Sequence, residues 1–194
     1  MNGLADRLRA ALRATPADPP IEGDHAQMRA QASKAAAVLI AITDRDEPGV
    51  LLTVRREHLR SHAGQIAFPG GRIEPGETAP AAALREAHEE VLLDPAAVDL
   101  ISSIDAYRTV TGYLVTPVLA VIPPELPLLP HEHEVAEIFE APLDFLLDPV
   151  NQRLESVLFQ GLERRYYEII WNKRRIWGAT AGMIVNLSRR LQWR

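Results

Sequence analysis

Residues 70–93 read GGRIEPGETAPAAALREAHEEVLL, a glycine-containing turn followed by a segment with helical spacing. At about 100° per residue, the apolar side chains of this segment share one face, and the acidic side chains lie on roughly the opposite face. The apolar set is Pro80, Leu84, Ala87 and Val91, and the acidic set is Glu86, Glu89 and Glu90. The pattern predicts a helix over about residues 78–92 that packs its apolar face on a sheet and turns three carboxylates towards a cleft.

The ends of the predicted helix carry signals of their own. Thr78 is a candidate N-cap, and Pro80 fits a first turn whose N–H groups have no intrahelical partner. Arg85 lies four residues before Glu89 and can brace that carboxylate. Glu77 either binds metal or holds the preceding loop through an ion pair with Arg85, and we favour the ion pair.

Carboxylates that crowd one helical face repel one another unless something positive lies between them. A divalent cation meets this need, because hard ions such as Mg²⁺ take oxygen ligands and prefer one or two carboxylates together with phosphate oxygens. For an arbitrary helix a solvated acidic face is the commoner explanation. Here the residues that precede the helix favour a metal site at Glu86, Glu89 and Glu90.

The stretch resembles the Nudix box, whose pattern is G-x5-E-x7-R-E-U-x-E-E-x-G-U, with U an apolar residue. The residues that match are Gly71, Glu77, Arg85, Glu86, Ala87, Glu89, Glu90 and Leu93. Leu92 departs from the pattern, since the family usually has a glycine there, which can take the left-handed conformation that ends a helix. We expect Leu92→Gly to leave the site working and to lower stability, by roughly 1 kcal/mol if position 92 is helical and by more if Leu92 is a core side chain.

A second resemblance lies upstream, where residues 51–71 read LLTVRREHLRSHAGQIAFPGG. They are similar to the signature of the coenzyme A pyrophosphatase branch of the Nudix family, L-L-T-x-R-[SA]-x3-R-x3-G-x3-F-P-G-G. Every fixed position matches except Arg56, where the branch has a small residue. Residues 176–181, IWGATA, also resemble that branch. The substrate-binding residues that the resemblance implies are Arg55, Arg60, Gln65, Gly70 and Gly71.

The resemblance implies hydrolysis of the diphosphate linkage of coenzyme A or its derivatives, giving 4′-phosphopantetheine and adenosine 3′,5′-bisphosphate. Glu86 and Glu90, with Glu89 nearby, would hold Mg²⁺ or Mn²⁺, and Arg85 completes the catalytic set. The general base stays open between Glu89 and an acid in the Glu134 region, where Glu134 and Glu137 are both candidates. Two alternatives also stay open: a Nudix hydrolase of another nucleoside diphosphate, such as ADP-ribose or a dinucleoside polyphosphate, and a non-catalytic module that senses a nucleotide.

The composition is that of an ordinary globular protein, with 194 residues, 47% of them hydrophobic, and a net charge of −5. No basic tract indicates a nucleic-acid surface. The lack of cysteine excludes disulfides, thiolate catalysis and zinc–thiolate sites. No apolar run reaches the roughly 18 residues that indicate a membrane span, and no signal-peptide pattern is present, so we expect a cytoplasmic protein. Nothing in the sequence sets the oligomeric state.

The rest of the chain mixes predicted strands with a few helices. Helical spacing marks residues 4–12, 143–147 and 179–191. The predicted strands are residues 35–43, 50–54, 98–107, 113–122, 154–159 and 165–170. We predict an N-terminal helical and loop extension over residues 1–34 and a Nudix domain over residues 35–194. The fold class is α/β, and the resemblance implies a Nudix-type α/β/α sandwich with a mixed β-sheet.

Overall fold

The computed structural model describes residues 3–14, 20–21, 34–58, 64–159 and 162–192. The helices are α1 (Leu4–Ala14), α2 (Ala79–Val91), α3 (Leu143–Leu147) and α4 (Ala179–Leu191). The strands are β1 (Lys34–Thr43), β2 (Gly49–Arg55), β3 (Ile66–Ala67), β4 (Gly70–Arg72), β5 (Asp99–Ser103), β6 (Tyr107–Arg108), β7 (Tyr113–Ile122), β8 (Val135–Pro142), β9 (Arg153–Phe159), β10 (Leu162–Trp171) and β11 (Arg174–Trp177).

Eight strands within the described residues form one mixed sheet, which confirms the expected sheet type. The central path is β3-β2-β1-β7-β5, while β4 pairs with β1, β6 with β7 and β8 with β2. Strands β1 and β7 run parallel along their whole length, and the other pairs are antiparallel. The long apolar run of β1 fits this central place, because a strand covered on both faces has no need of alternating polar residues.

Helices cover both faces of this sheet. Successive side chains of a strand point to opposite faces. On β1, Leu39 faces a core that contains Ala87 and Val91 of α2, whereas Ile40 faces a second core that contains Ile184 of α4. Helices α1 and α3 pack into the second core as well. The arrangement is an α/β/α sandwich, as the sequence predicted.

Helix α1 belongs to the packed structure rather than lying apart from it. Its Leu4 and Leu8 are buried in the core beside α4. Asn186 of α4 also holds Ile21, because its amide nitrogen donates to the Ile21 carbonyl at 3.1 Å and its amide oxygen accepts from the Ile21 N–H at 2.9 Å. The boundary that we placed between residues 34 and 35 stays a prediction.

Strand β8 and three short strands were not predicted from the sequence. The glycine-rich segment that we read as a turn contains β4, which pairs with β1 through Ala37 opposite Gly71 and Val38 opposite Gly70. Strand β3 precedes it and pairs with β2. Strand β11 forms a second, three-stranded sheet in the order β11-β10-β9. Strands β3 and β4 have two and three residues, and their ladders depend on partners that are remote in sequence, whereas β11 pairs with β10 across the two-residue turn Asn172-Lys173.

The strand predicted over residues 98–107 is two strands, β5 and β6, separated by a break. Opposite the break lies Pro117 of β7, whose carbonyl accepts the Ile104 N–H at 2.9 Å. Proline has no N–H with which to return that bond, so the antiparallel ladder stops there. Among the described helices, none is long and apolar enough to cross a membrane. The cytoplasmic location stays a prediction.

Candidate active site

Helix α2 begins as the sequence predicted and ends differently. The Thr78 hydroxyl accepts a hydrogen bond from the Ala81 N–H at 3.4 Å, which confirms the N-cap. At the other end Leu92 takes φ 56° and ψ 27°, a left-handed conformation. The expectation of a helical residue at this position is therefore wrong. Leucine occupies the backbone conformation for which the family uses glycine, and its side chain is 53% exposed.

Arg85 joins the loop before α2 to the acids on the helix. Its Nε donates to Glu77 Oε1 at 3.0 Å and its Nη2 to Glu77 Oε2 at 3.2 Å, which confirms the predicted ion pair. The hydrogen bond from Arg85 lowers the pKa of Glu77. The Nη1 of Arg85 donates both to Glu86 at 3.0 Å and to Glu89 at 3.1 Å, so these two carboxylates are neighbours. Its Nη2 also donates to the Arg72 carbonyl at 3.0 Å.

Glu90 is buried, and this corrects the helical-face prediction. Its side chain does not lie with Glu86 and Glu89 on an exposed face, because only 5% of Glu90 is accessible to solvent. Its Oε2 accepts the Gly70 N–H at 3.1 Å, and its Oε1 lies 3.5 Å from Arg55 Nη1. Burial raises the pKa of Glu90 to about 7, although the Gly70 N–H and Arg55 act in the opposite direction.

The burial of Glu90 could have been read from the helical spacing. At 100° per residue Glu90 is about 60° from Ala87 around the helix axis, so it lies at the border of the apolar face. Its partner could not have been read in the same way, because Gly70 reaches Glu90 only through the pairing of β4 with β1.

Gly70 and Gly71 both lie in close contact with their neighbours, and glycine is required at Gly70 because the neighbours there are backbone atoms. A Cβ on Gly70 would collide with the backbone of Ala37 and Val38, and one on Gly71 would collide with the Glu86 carboxylate. Glu86 is thus packed directly against the backbone of β4. Burial raises the pKa of Glu86, Arg85 lowers it, and the negative charges of Glu89 and Glu134 raise it further.

Of the two acids considered after β7, the structure brings only Glu134 to the cluster. Its charge acts on both Glu86 and Glu90. The loop that carries it is held against α2, since the His131 N–H donates to the Glu90 carbonyl at 2.8 Å. Glu137, in contrast, accepts two hydrogen bonds from Arg174, at 2.6 and 2.7 Å, which lower its pKa.

Four of the five predicted substrate-binding residues lie among the described residues. Arg55, at the end of β2, lies beside Glu90, and its Nε is buried without a hydrogen-bond partner among the described residues. Gly70 and Gly71 lie next to Glu90 and Glu86, as described above. The backbone of Gln65 lies beside the backbone of Arg55, because the Arg55 N–H donates to the Gln65 carbonyl at 2.9 Å. Arg60 lies outside the described residues.

The carboxylate oxygens of this cluster are suitable ligands for a hard divalent cation, although in this structure each carboxylate bonds to a protein group instead. Within the described parts of the chain, no group of three or more His, Asp or Glu side chains is already arranged around a metal position. Glu86 and Glu89 bond to Arg85, and Glu90 bonds to Gly70. The pKa values of Glu86 and Glu90 stay raised although Arg85 and Arg55 lie beside them, and oxygen-rich sites of this kind suit hard divalent cations.

Comparisons with known proteins agree with the box pattern. The NUDIX domain family matches residues 33–160. A protein of Escherichia coli K12 named uncharacterized Nudix hydrolase NudL is 46% identical over 154 residues, which cover 79% of this chain and 80% of that protein. The protein of the same name from Shigella boydii serotype 4 is 45% identical over the same length.

Solved structures show the same fold. A Nudix hydrolase from M. smegmatis, RenU, is 25% identical with a TM-score of 0.51, over 60% of this chain and 74% of that one. A MutT/nudix family protein from Enterococcus faecalis is 15% identical with a TM-score of 0.51, over 97% of this chain and 73% of that one. The chain therefore belongs to the Nudix hydrolase family, whose members are pyrophosphohydrolases.

Proposed function

We propose that this Nudix hydrolase cleaves the diphosphate linkage of coenzyme A or one of its derivatives, with Mg²⁺ or Mn²⁺, to give 4′-phosphopantetheine and adenosine 3′,5′-bisphosphate. One observation carries the proposal. Arg55, a fixed position of the coenzyme A signature, lies 3.5 Å from Glu90, a fixed position of the Nudix box. Two motif residues that are 35 positions apart in the sequence thus meet at one place, as a substrate site beside a catalytic site requires.

Glu86 and Glu90, with Glu89 nearby, are the residues that would hold the divalent cation. When bound, such an ion neutralises the diphosphate and makes a coordinated water more acidic. The burial of Glu90 favours this role, because burying a carboxylate is costly, its pKa stays raised although Arg55 lies 3.5 Å away, and a bound cation would offset the remaining cost. The hydrogen bonds that Glu86 and Glu89 now make with Arg85 would be loosened as the ion is taken up.

The other residues of the cluster position groups or move a proton. Arg85 keeps Glu86 and Glu89 together while Glu77 fixes the guanidinium from the opposite side. Glu134 is our candidate for the carboxylate that accepts the proton of the attacking water, and Glu89 is the alternative. The Nε of Arg55, which has no hydrogen-bond partner among the described residues, is our candidate donor to a phosphate oxygen, a task that suits the planar guanidinium.

Because Gly70 and Gly71 have no side chains, they leave room for substrate at the same site. These residues lie directly against Glu90 and Glu86. A substrate diphosphate could therefore approach the carboxylate cluster closely along the backbone of β4.

A substrate panel tests the proposal. The purified chain is assayed in Mg²⁺ on coenzyme A, dephospho-coenzyme A, ADP-ribose, NADH and diadenosine polyphosphates, and kcat/KM is compared. We expect coenzyme A or an acyl derivative to be the best substrate and EDTA to stop turnover. A higher kcat/KM for ADP-ribose or for a dinucleoside polyphosphate would replace the proposed substrate with one of those alternatives.

A further inference from the structure

Strand β9 is the outer strand of the three-stranded sheet. The sheet order is β11-β10-β9, and β9 pairs with β10 from Arg153 to Phe159. In the part of the chain that the structure describes, no strand pairs with the other side of β9, so the backbone N–H and C=O groups on that side face solvent. Such an edge is a template for another strand unless charge, proline or a bulge protects it.

One face of β9 carries exposed leucines. Leu154, Ser156 and Leu158 share this face, because alternate residues of a strand point the same way. On the same face of the sheet, Ile169 and Ile176 are fully buried in the core, whereas Leu154 is 53% exposed and Leu158 is 75% exposed. Among the described residues, the face that packs against the core at β11 therefore continues outwards along the hairpin to leucines that no other element covers.

We propose that a second copy of this chain pairs with this edge, with the two β9 strands antiparallel about a two-fold axis. An axis perpendicular to the sheet keeps the same face of both strands on the same side. With Ser156 on the axis, Leu154 of each copy lies directly opposite Leu158 of the other. A shift of the register in either direction leaves these leucines opposite other residues.

In the same register, the side chains on the opposite face of the two paired strands are also compatible with each other. There Glu155 lies opposite Val157 of the other copy. Like charges directly opposite each other would destabilise the pair, and this register avoids them. The match of β9 with itself is the reason for choosing a second copy over an unrelated protein. A contact in which the same patch serves both subunits is the commonest route to a homodimer.

Light scattering coupled to size-exclusion chromatography tests the dimer with the full chain. We expect wild type to show twice the chain mass at high concentration and the Leu154→Glu/Leu158→Glu variant to show the chain mass. Val150→Glu is the matched control, because Val150 is 84% exposed and lies just before β9. Circular dichroism and the melting temperature establish that each variant is folded. A monomeric wild type, or a dimer that the double substitution leaves intact, overturns the proposal.

Cysteine cross-linking tests the register, and the chain offers a clean background because it contains no cysteine. Residues opposite each other in an antiparallel pair have Cα atoms about 4.5–5.5 Å apart, a separation that a disulfide can span. We expect Ser156→Cys to form a disulfide-linked dimer under mild oxidation. Val157→Cys is the control, since its two copies would be offset along the strands on either side of the axis. Equally fast cross-linking of the two variants contradicts the proposed pairing.

Discussion

Leu92 gives a sharp test of how α2 ends. Its left-handed backbone, with φ 56°, costs an L-amino acid roughly 1–2 kcal/mol, and glycine adopts it without that penalty. Inside a helix the order is reversed, because glycine is about 1 kcal/mol less favourable than alanine. We therefore expect Leu92→Gly to be more stable than Leu92→Ala by about 1 kcal/mol. A helical residue 92 would give the opposite sign.

Comparing these two variants with each other isolates the effect of the backbone conformation on stability. Both remove the leucine side chain, which is 53% exposed, so the loss of its remaining burial largely cancels. The assay is equilibrium unfolding in urea; in a thermal scan the difference should be about 2–4 °C. Ala10 is exposed within α1 and supplies the control, since Ala10→Gly should lower stability by about 1 kcal/mol. Glycine less stable than alanine at position 92 would refute the left-handed helix end.

The remaining predictions concern the carboxylates and Arg55. Glu86→Gln and Glu90→Gln should each lower kcat in Mg²⁺ by on the order of 10²-fold or more, through lost charge stabilisation in the transition state. Near wild-type turnover by either folded variant would remove that residue from the metal site. Wild type should prefer coenzyme A over dephospho-coenzyme A by roughly tenfold in kcat/KM if an arginine binds the 3′-phosphate. Arg55→Ala or Arg60→Ala should shrink this ratio, whereas equal losses on both substrates would indicate a diphosphate contact or a structural role. In EDTA, the pKa of Glu90 in the folded protein, about 7, lies above its ordinary value of 4.5. The stability that this group contributes is therefore fully present below pH 4.5 and is lost as the pH rises through 7, by at most roughly 3 kcal/mol. Urea unfolding of wild type and Glu90→Gln over this range measures the effect, and parallel profiles would contradict it.

Several long elements of the fold, though not β8, were predictable because their residues carry the information locally. Strands β1 and β7 are nearly continuous apolar runs, and α4 has helical spacing from its first residue to its last, so the predicted bounds agree with the structure within one residue. Strands β3, β4 and β11 carry no such pattern. These strands form because β2, β1 and β10 provide backbone hydrogen-bond partners. The sequence of each short segment does not reveal that such a partner lies beside it.

The site was predictable where spacing along one helix determined it. The ion pair of Arg85 with Glu77 and the contact of Arg85 with Glu89 follow from the box pattern and from the i, i+4 spacing. The hydrogen bond between Glu90 and Gly70 could not be predicted in this way, because it depends on β4, a strand that packs beside the helix. The choice between Glu134 and Glu137 depended on tertiary structure too, because Arg174, the partner of Glu137, comes from β11.

The most direct test of the proposed chemistry is the identification of the products formed from coenzyme A in Mg²⁺. Chromatography and mass spectrometry should show 4′-phosphopantetheine and adenosine 3′,5′-bisphosphate in equal amounts. EDTA should prevent their formation, and so should Glu90→Gln in a protein that remains folded. Intact coenzyme A after incubation with an enzyme that cleaves ADP-ribose under the same conditions would contradict the account.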